Sequence, residues 1–213
     1  MGTIDQADQA MSRYACGDET AFDLVYETVA PRLERYLARR VPARSAVEDI
    51  VQQTFLQMHA ARATFIRGAA VMPWAFAIAR RLMIDAGRAS WREQPAGFEN
   101  DLPPPVPAGV MSYEGSSPSS EQAMQAEETH AHLAAAYQRL SSPQREAFDL
   151  VKIEGLPYAE AAAVLGTTIM GVKLRVHRVH LALRRALGGG PAPRPARRAA
   201  RRNTGPLRTA EGS

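Results

Sequence analysis

Apolar positions recur at three- and four-residue steps over most of residues 1–92 and again over about 121–187, so both stretches are predicted to be helical. In residues 21–41, Phe22, Val25, Val29, Leu33 and Leu37 line one helix face, and Pro31 is expected to kink or locally break that helix. Ser45 with Glu48 three residues on predicts a capping box. The helix it opens runs through Ile50, Val51, Phe55 and Met58 to about Ala63. Residues 64–72 contain Gly68 and read as a loop, and Pro73 suits the first turn of a helix continuing to about Trp91. The second stretch predicts four more helices, at 121–140, 143–153, 157–165 and 169–187. Ser141 or Ser142 and Thr167 or Thr168 are the expected N-caps, and Gly155 and Gly166 the stops. Residues 93–120 are rich in Pro, Gly and Ser and bury too little apolar surface to fold. A structureless stretch of that length inside one compact domain is improbable, so it marks a boundary. The expected fold class is all-α: two small helical domains, an N-terminal helical bundle over 10–92 and a C-terminal helix-turn-helix domain over 121–187. A flexible acidic linker (93–120) joins them, and a basic, disordered tail (188–213) follows.

Composition narrows the classes. The 213 residues allow one or two domains, and 46% apolar residues are enough for packed cores. No apolar run approaches the roughly 20 residues of a membrane span, and residues 1–18 lack the signature of a signal peptide. Cys16 is the only cysteine, which fits a reducing cytoplasm. The net charge of +4 conceals an alternation. Residues 71–92 hold four arginines against Asp85; residues 93–138 hold seven acids and no Lys or Arg; residues 161–187 hold five basic residues and no acid; residues 188–213 hold six arginines against Glu211. Two separated basic blocks point to two nucleic-acid contacts. The acidic linker has three readings: a nucleic-acid mimic in a basic channel, a screen folded back on the basic helices, or a passive solvated segment.

Residues 158–178, YAEAAAVLGTTIMGVKLRVHR, read as a short helix, a glycine turn and a longer basic helix. Val164, Leu165, Ile169, Val172, Val176 and Val179 supply a buried face; Lys173, Arg175, Arg178 and Arg185 fall mostly off it. This is the pattern of a helix-turn-helix whose second helix enters a DNA major groove, where Lys and Arg donate to guanine or hold phosphates. An ordinary helical hairpin with a solvated basic face has the same pattern. No Ser-His-Asp grouping, phosphate-binding loop or carboxylate pair stands at catalytic spacing. The pairs His130/His132 and His177/His180 lack further ligands in their helices, so no metal, cofactor or enzymatic activity is expected.

The stretch from Leu140 to Leu187 resembles the fourth domain of extracytoplasmic-function (ECF) sigma factors of bacterial RNA polymerase. VEDIVQQTFLQMH and WAFAIARRLMIDAGR resemble that family's second domain, in the family's order and with a linker where the family has one. The resemblance implies a factor that binds core RNA polymerase and directs promoter-specific initiation. It implies polymerase docking by Asp49, Ile50, Gln52, Gln53 and Phe55, with Ile50 and Phe55 packing inward and the polar groups facing out. For the −10 element and strand separation it implies Phe65, Trp74, Arg80, Arg81 and Arg88, the loop at 65–72 receiving an unstacked base. Trp74 equally suits a core anchor for its helix. For the −35 element it implies Thr168, Lys173, Arg175 and Arg178. Promoter DNA, core polymerase and an anti-sigma factor are the implied partners, the cytoplasm the implied location. The chain departs from the family at Arg81, where asparagine is common, at Met170–Gly171 and at Leu174, where a small polar residue is frequent; these departures bear on which bases are read. Two other functions fit a helix-turn-helix chain: a stand-alone regulator that never touches polymerase, and a sigma mimic that sequesters an anti-sigma factor. The N-terminal stretches argue against the first, and the lack of a strand–helix receiver pattern against the second.

Overall fold

A computed structural model describes residues 3–93 and 120–188. Those residues form eight α-helices and short helical turns, with no strand among them.

The N-terminal unit is four helices: α1 (Thr3–Ala15), α2 (Phe22–Ala38), α3 (Arg44–Ala60) and α4 (Val71–Glu93). Helix α1 was not expected, although its signal is in the sequence: Ala7, Ala10, Met11 and Tyr14 fall on one face, and all four are buried. Its polar residues organise the segment before α4. The Asp8 carboxylate accepts the Val71 N–H (2.7 Å) at the start of α4, and Ser12 Oγ accepts the Gly68 N–H (3.1 Å). Both satisfy backbone donors that no helix partner reaches.

Two local expectations are corrected. Helix α2 continues through Pro31 without a break. Pro31 is exposed, and Val25, Val29, Leu33 and Leu37 hold the helix from the opposite face. The Ser45–Glu48 capping box does not form: α3 starts at Arg44, and Glu48 instead pairs with Arg44 Nε one turn back (2.8 Å).

The C-terminal unit holds α5 (Ser120–Gln138), α6 (Ser142–Phe148), α7 (Tyr158–Leu165) and α8 (Ile169–Gly188). Gln144 Oε1 accepts the Ser141 N–H (3.0 Å) at the start of α6. Helix α6 runs on as a π-helical turn, Asp149–Ile153. Glu146 in α6, Asp149 at the start of the turn and Glu154 just after it are all buried.

Those three acids meet the N-terminal unit. Arg32 Nε donates to Glu154 Oε2 (3.2 Å), and Arg32 Nη2 to the Glu154 carbonyl. Arg39 Nη1 lies 3.5 Å from Glu154 Oε1, at ion-pair distance but without a hydrogen bond. Arg40 Nη2 donates to Asp149 Oδ2 (2.6 Å). Glu146 Oε1 accepts from Arg80 Nε (2.9 Å) and from the Tyr36 hydroxyl (2.8 Å). Burial, reinforced by the Glu146 carboxylate, pushes the Tyr36 phenol far above its ordinary pKa and keeps it a donor. Burial works against the Arg40 cation, but attraction to Tyr36, Asp149 and Glu146 outweighs it and raises the guanidinium pKa. Around this polar clasp α7 packs on α4, and buried apolar residues of both units form one continuous cluster.

Candidate nucleic-acid interface

Helices α7 and α8 are joined by Gly166, Thr167 and Thr168. Gly166 closes α7 in the left-handed conformation (φ 60°), which only glycine adopts without strain. Thr168 Oγ1 accepts the Gly171 N–H (3.0 Å) and caps α8. A side chain at Gly171 would press on Oγ1 of Thr167 (3.0 Å) and of Thr168 (3.2 Å), so glycine there leaves the cap undisturbed. Val172, Val176 and Val179 are buried and fix which side of α8 faces the core.

The opposite side of α8 faces solvent. Lys173, Arg178, Arg184 and Arg185 are exposed on it, and none has an ion pair among the described residues. Lys173 Nζ lies 5.9 Å from the centre of the Tyr158 ring. Arg175 is half-buried at the flank, and Thr168 is exposed but serves the cap. Sequence reading noted Met170 and Leu174 only as departures from the family and did not place them on one face. Met170, Leu174, His177 and Leu181 follow at four-, three- and four-residue steps along its centre, all exposed.

The other expected DNA contacts sit on α4 and the segment before it, in a different setting. Phe65 is buried against the half-buried Trp74, ring centroids 5.2 Å apart, so Trp74 anchors its helix from one side. Ile66 and Arg67 are exposed at the tip of the preceding loop. Arg80 is half-buried and already bound to Glu146, and Arg81 is exposed and donates to Gln57. Arg88 belongs to α4, but its side chain lies outside the described residues. So do nearly all of the expected linker, 93–120, and tail, 188–213.

On α3, Asp49, Gln52 and Gln53 are exposed, while Ile50 and Phe55 are buried. Beside them a groove of about 660 Å³ between α2 and α3 is lined by Phe22, Tyr26, Phe55 and Leu56 together with Glu48 and Gln52. Tyr26 and Leu56 are exposed large apolar groups within it. No group of three or more His, Cys, Asp or Glu side chains converges as metal ligands among the described residues. No described helix is long and apolar enough to cross a membrane.

Comparison with known proteins gives two family matches: sigma-70 region 2 over residues 25–93 and sigma-70 region 4 over residues 131–183. The chain is 32% identical to RNA polymerase sigma factor CarQ of Myxococcus xanthus, over 84% of this chain and 95% of that one. It is 32% identical to ECF RNA polymerase sigma factor SigF of Caulobacter vibrioides, over 81% and 89%. Among solved structures it resembles sigma factor RpoE of Bartonella quintana, crystallised with the anti-sigma factor NepR (TM-score 0.58, 25% identity, 78% of this chain and 96% of that one).

Proposed function

The chain belongs to the extracytoplasmic-function sigma factors of RNA polymerase and directs promoter-dependent initiation, and on that premise we propose how its surfaces divide the work. The observation that carries the division is the solvent face of α8: four exposed cations without an ion pair among the described residues, on the second helix of a helix-turn-helix. That face takes the −35 element, with Lys173, Arg175 and Arg178 holding phosphates or guanine edges. Thr168 acts there through its cap, which sets the approach of the helix N-terminus.

The −10 element falls to α4 and the loop before it. Exposed Ile66 and Arg67 join Phe65, Trp74, Arg80, Arg81 and Arg88 as candidates for handling a separated strand. Arg80 reaches a phosphate only by exchanging Glu146 for it. Core polymerase docks on α3, where Asp49, Gln52 and Gln53 offer polar contacts beside the apolar groove, and Ile50 and Phe55 hold the helix in place. In this reading residues 10–92 and 121–187 are the working domains, 93–120 the acidic linker and 188–213 a basic tail. The factor works in the cytoplasm by binding alone, without enzymatic chemistry, and an anti-sigma factor holds it inactive, as NepR partners the related RpoE.

Run-off transcription with purified core polymerase tests the reading. Addition of this chain should create new, defined transcript start sites. If it neither co-elutes with core enzyme nor changes start sites, the reading is wrong.

A further inference from the structure

An isolated exposed leucine on a protein surface carries no information. Of the five exposed large apolar groups on α8, Ile169 and Leu187 lie apart, but the other three share one face. Met170 is 71% exposed, Leu174 47% and Leu181 37%, and with His177 they form one stripe directly opposite the buried valines. A surface helix normally carries its polar residues there. The cations are displaced to the sides of the stripe, Lys173 on one and Arg178 on the other.

The most exposed ridge of a recognition helix is the part that enters the major groove, and the residues of its first turns reach base edges. Met170 and Leu174 lie in the first two turns of α8; Leu181 lies a further two turns along. Neither a thioether nor an isobutyl group donates to guanine O6 and N7, and toward a base amino group the thioether is only a weak acceptor and the isobutyl group none. The apolar group that a base edge displays in the major groove is the C5-methyl of thymine. We propose that Met170 and Leu174 read thymine methyl groups in the −35 element, while the flanking Lys173 and Arg178 hold the backbone on either side. The proposal rests on the −35 role assigned to α8 and adds to it the base class recognised and the residues that recognise it.

The test uses holoenzyme assembled from the full chain and core polymerase. Preferred upstream elements are first selected from a randomised duplex, and thymine should be enriched at two or more positions. Each such thymine is then replaced by uracil, which removes the methyl group and nothing else. Wild type should lose about three- to fourfold in affinity per methyl. Leu174→Ser should lose that discrimination at one position and Met170→Ser at another, each binding the uracil duplex within about twofold of wild type. Lys173→Ala should instead weaken thymine and uracil duplexes alike. The proposal is overturned if uracil binds wild type as well as thymine does, or if both serine variants keep the discrimination. It is also overturned if Leu174→Ser keeps its helical content but no longer assembles with core polymerase, which would make the ridge a protein contact. Defined transcripts without a methyl effect remove this proposal alone; absence of transcripts removes the sigma reading with it.

Discussion

Helices α4 and α8 carry the two basic surfaces of the described chain, and they differ in how their cations are held. On α4, Arg80 is held by Glu146 of the C-terminal unit and Arg81 by Gln57 of α3. On α8, Lys173, Arg178, Arg184 and Arg185 face solvent without an ion pair among the described residues. A count of basic residues treats the two blocks alike. The fold separates them, because Glu146, Asp149 and Glu154 meet arginines of α2 and α4, and none of these acids pairs with a cation of α8 among the described residues. Arg80, neutralised by Glu146, must exchange a partner to bind phosphate, whereas the cations of α8 bind by releasing counterions.

The largest expected effect breaks the neutralised side. Glu154 is fully buried between Arg32 and Arg39, whose side chains are only 15% and 13% exposed. Glu154→Ala leaves both guanidiniums without their anion, and loss of one partner of a buried ion pair costs about 3–5 kcal/mol. If the two units part and rehydrate the arginines, the loss is limited to the free energy of their docking. Denaturant unfolding together with hydrodynamic size should then show an expanded chain. Unchanged size and a stability within about 0.5 kcal/mol of wild type would mean that the clasp does not hold the units together.

The free side should respond in binding and not in stability. Arg178→Ala is expected to cost about 1–3 kcal/mol in promoter affinity if the contact is to a base, or to lower the salt slope by about 1 if it is to a phosphate. Its unfolding free energy should stay within about 0.5 kcal/mol of wild type, because the side chain is exposed and has no ion pair among the described residues. Titrations over a salt series, with thermal melts of the same samples, measure both.

Asp8→Ala tests how far the setting of α4 depends on α1. It removes the acceptor of the Val71 N–H, and loss of such a cap costs about 1 kcal/mol. Hydrogen exchange should quicken at the start of α4 and stay unchanged in α8.

The smallest structural effect is expected at α3. Asp49→Ala with Gln52→Ala should change stability by no more than about 0.5 kcal/mol, since both side chains are exposed, while weakening co-elution with core polymerase. Normal co-elution would move the docking site elsewhere.

What the sequence determined by itself was local. Gly166, the cap at Thr168 and the apolar spacing of Val172, Val176 and Val179 lie within fourteen residues, and the helix-turn-helix follows from turn chemistry and helix period alone. The same holds for the exposed and buried sides of α3, where Ile50 and Phe55 fall inside and Asp49, Gln52 and Gln53 outside. Local rules failed where a second partner competed: Glu48 pairs with Arg44 instead of capping through Ser45, and burial of its opposite face carries α2 past Pro31. The apolar ridge on α8 was within reach of the sequence, since the valines already set the rotation of the helix, but Ile169, counted with them as buried, is 46% exposed at the start of α8.

Only the tertiary structure decided which charges neutralise one another. Arg32 and Glu154 are 122 residues apart in the chain, Arg40 and Asp149 109, and Arg80 and Glu146 66. No periodicity or capping rule relates residues at such separations. Their pairing depends on how two helical units dock, and docking places any acid that it buries beside the cation that offsets its lost hydration.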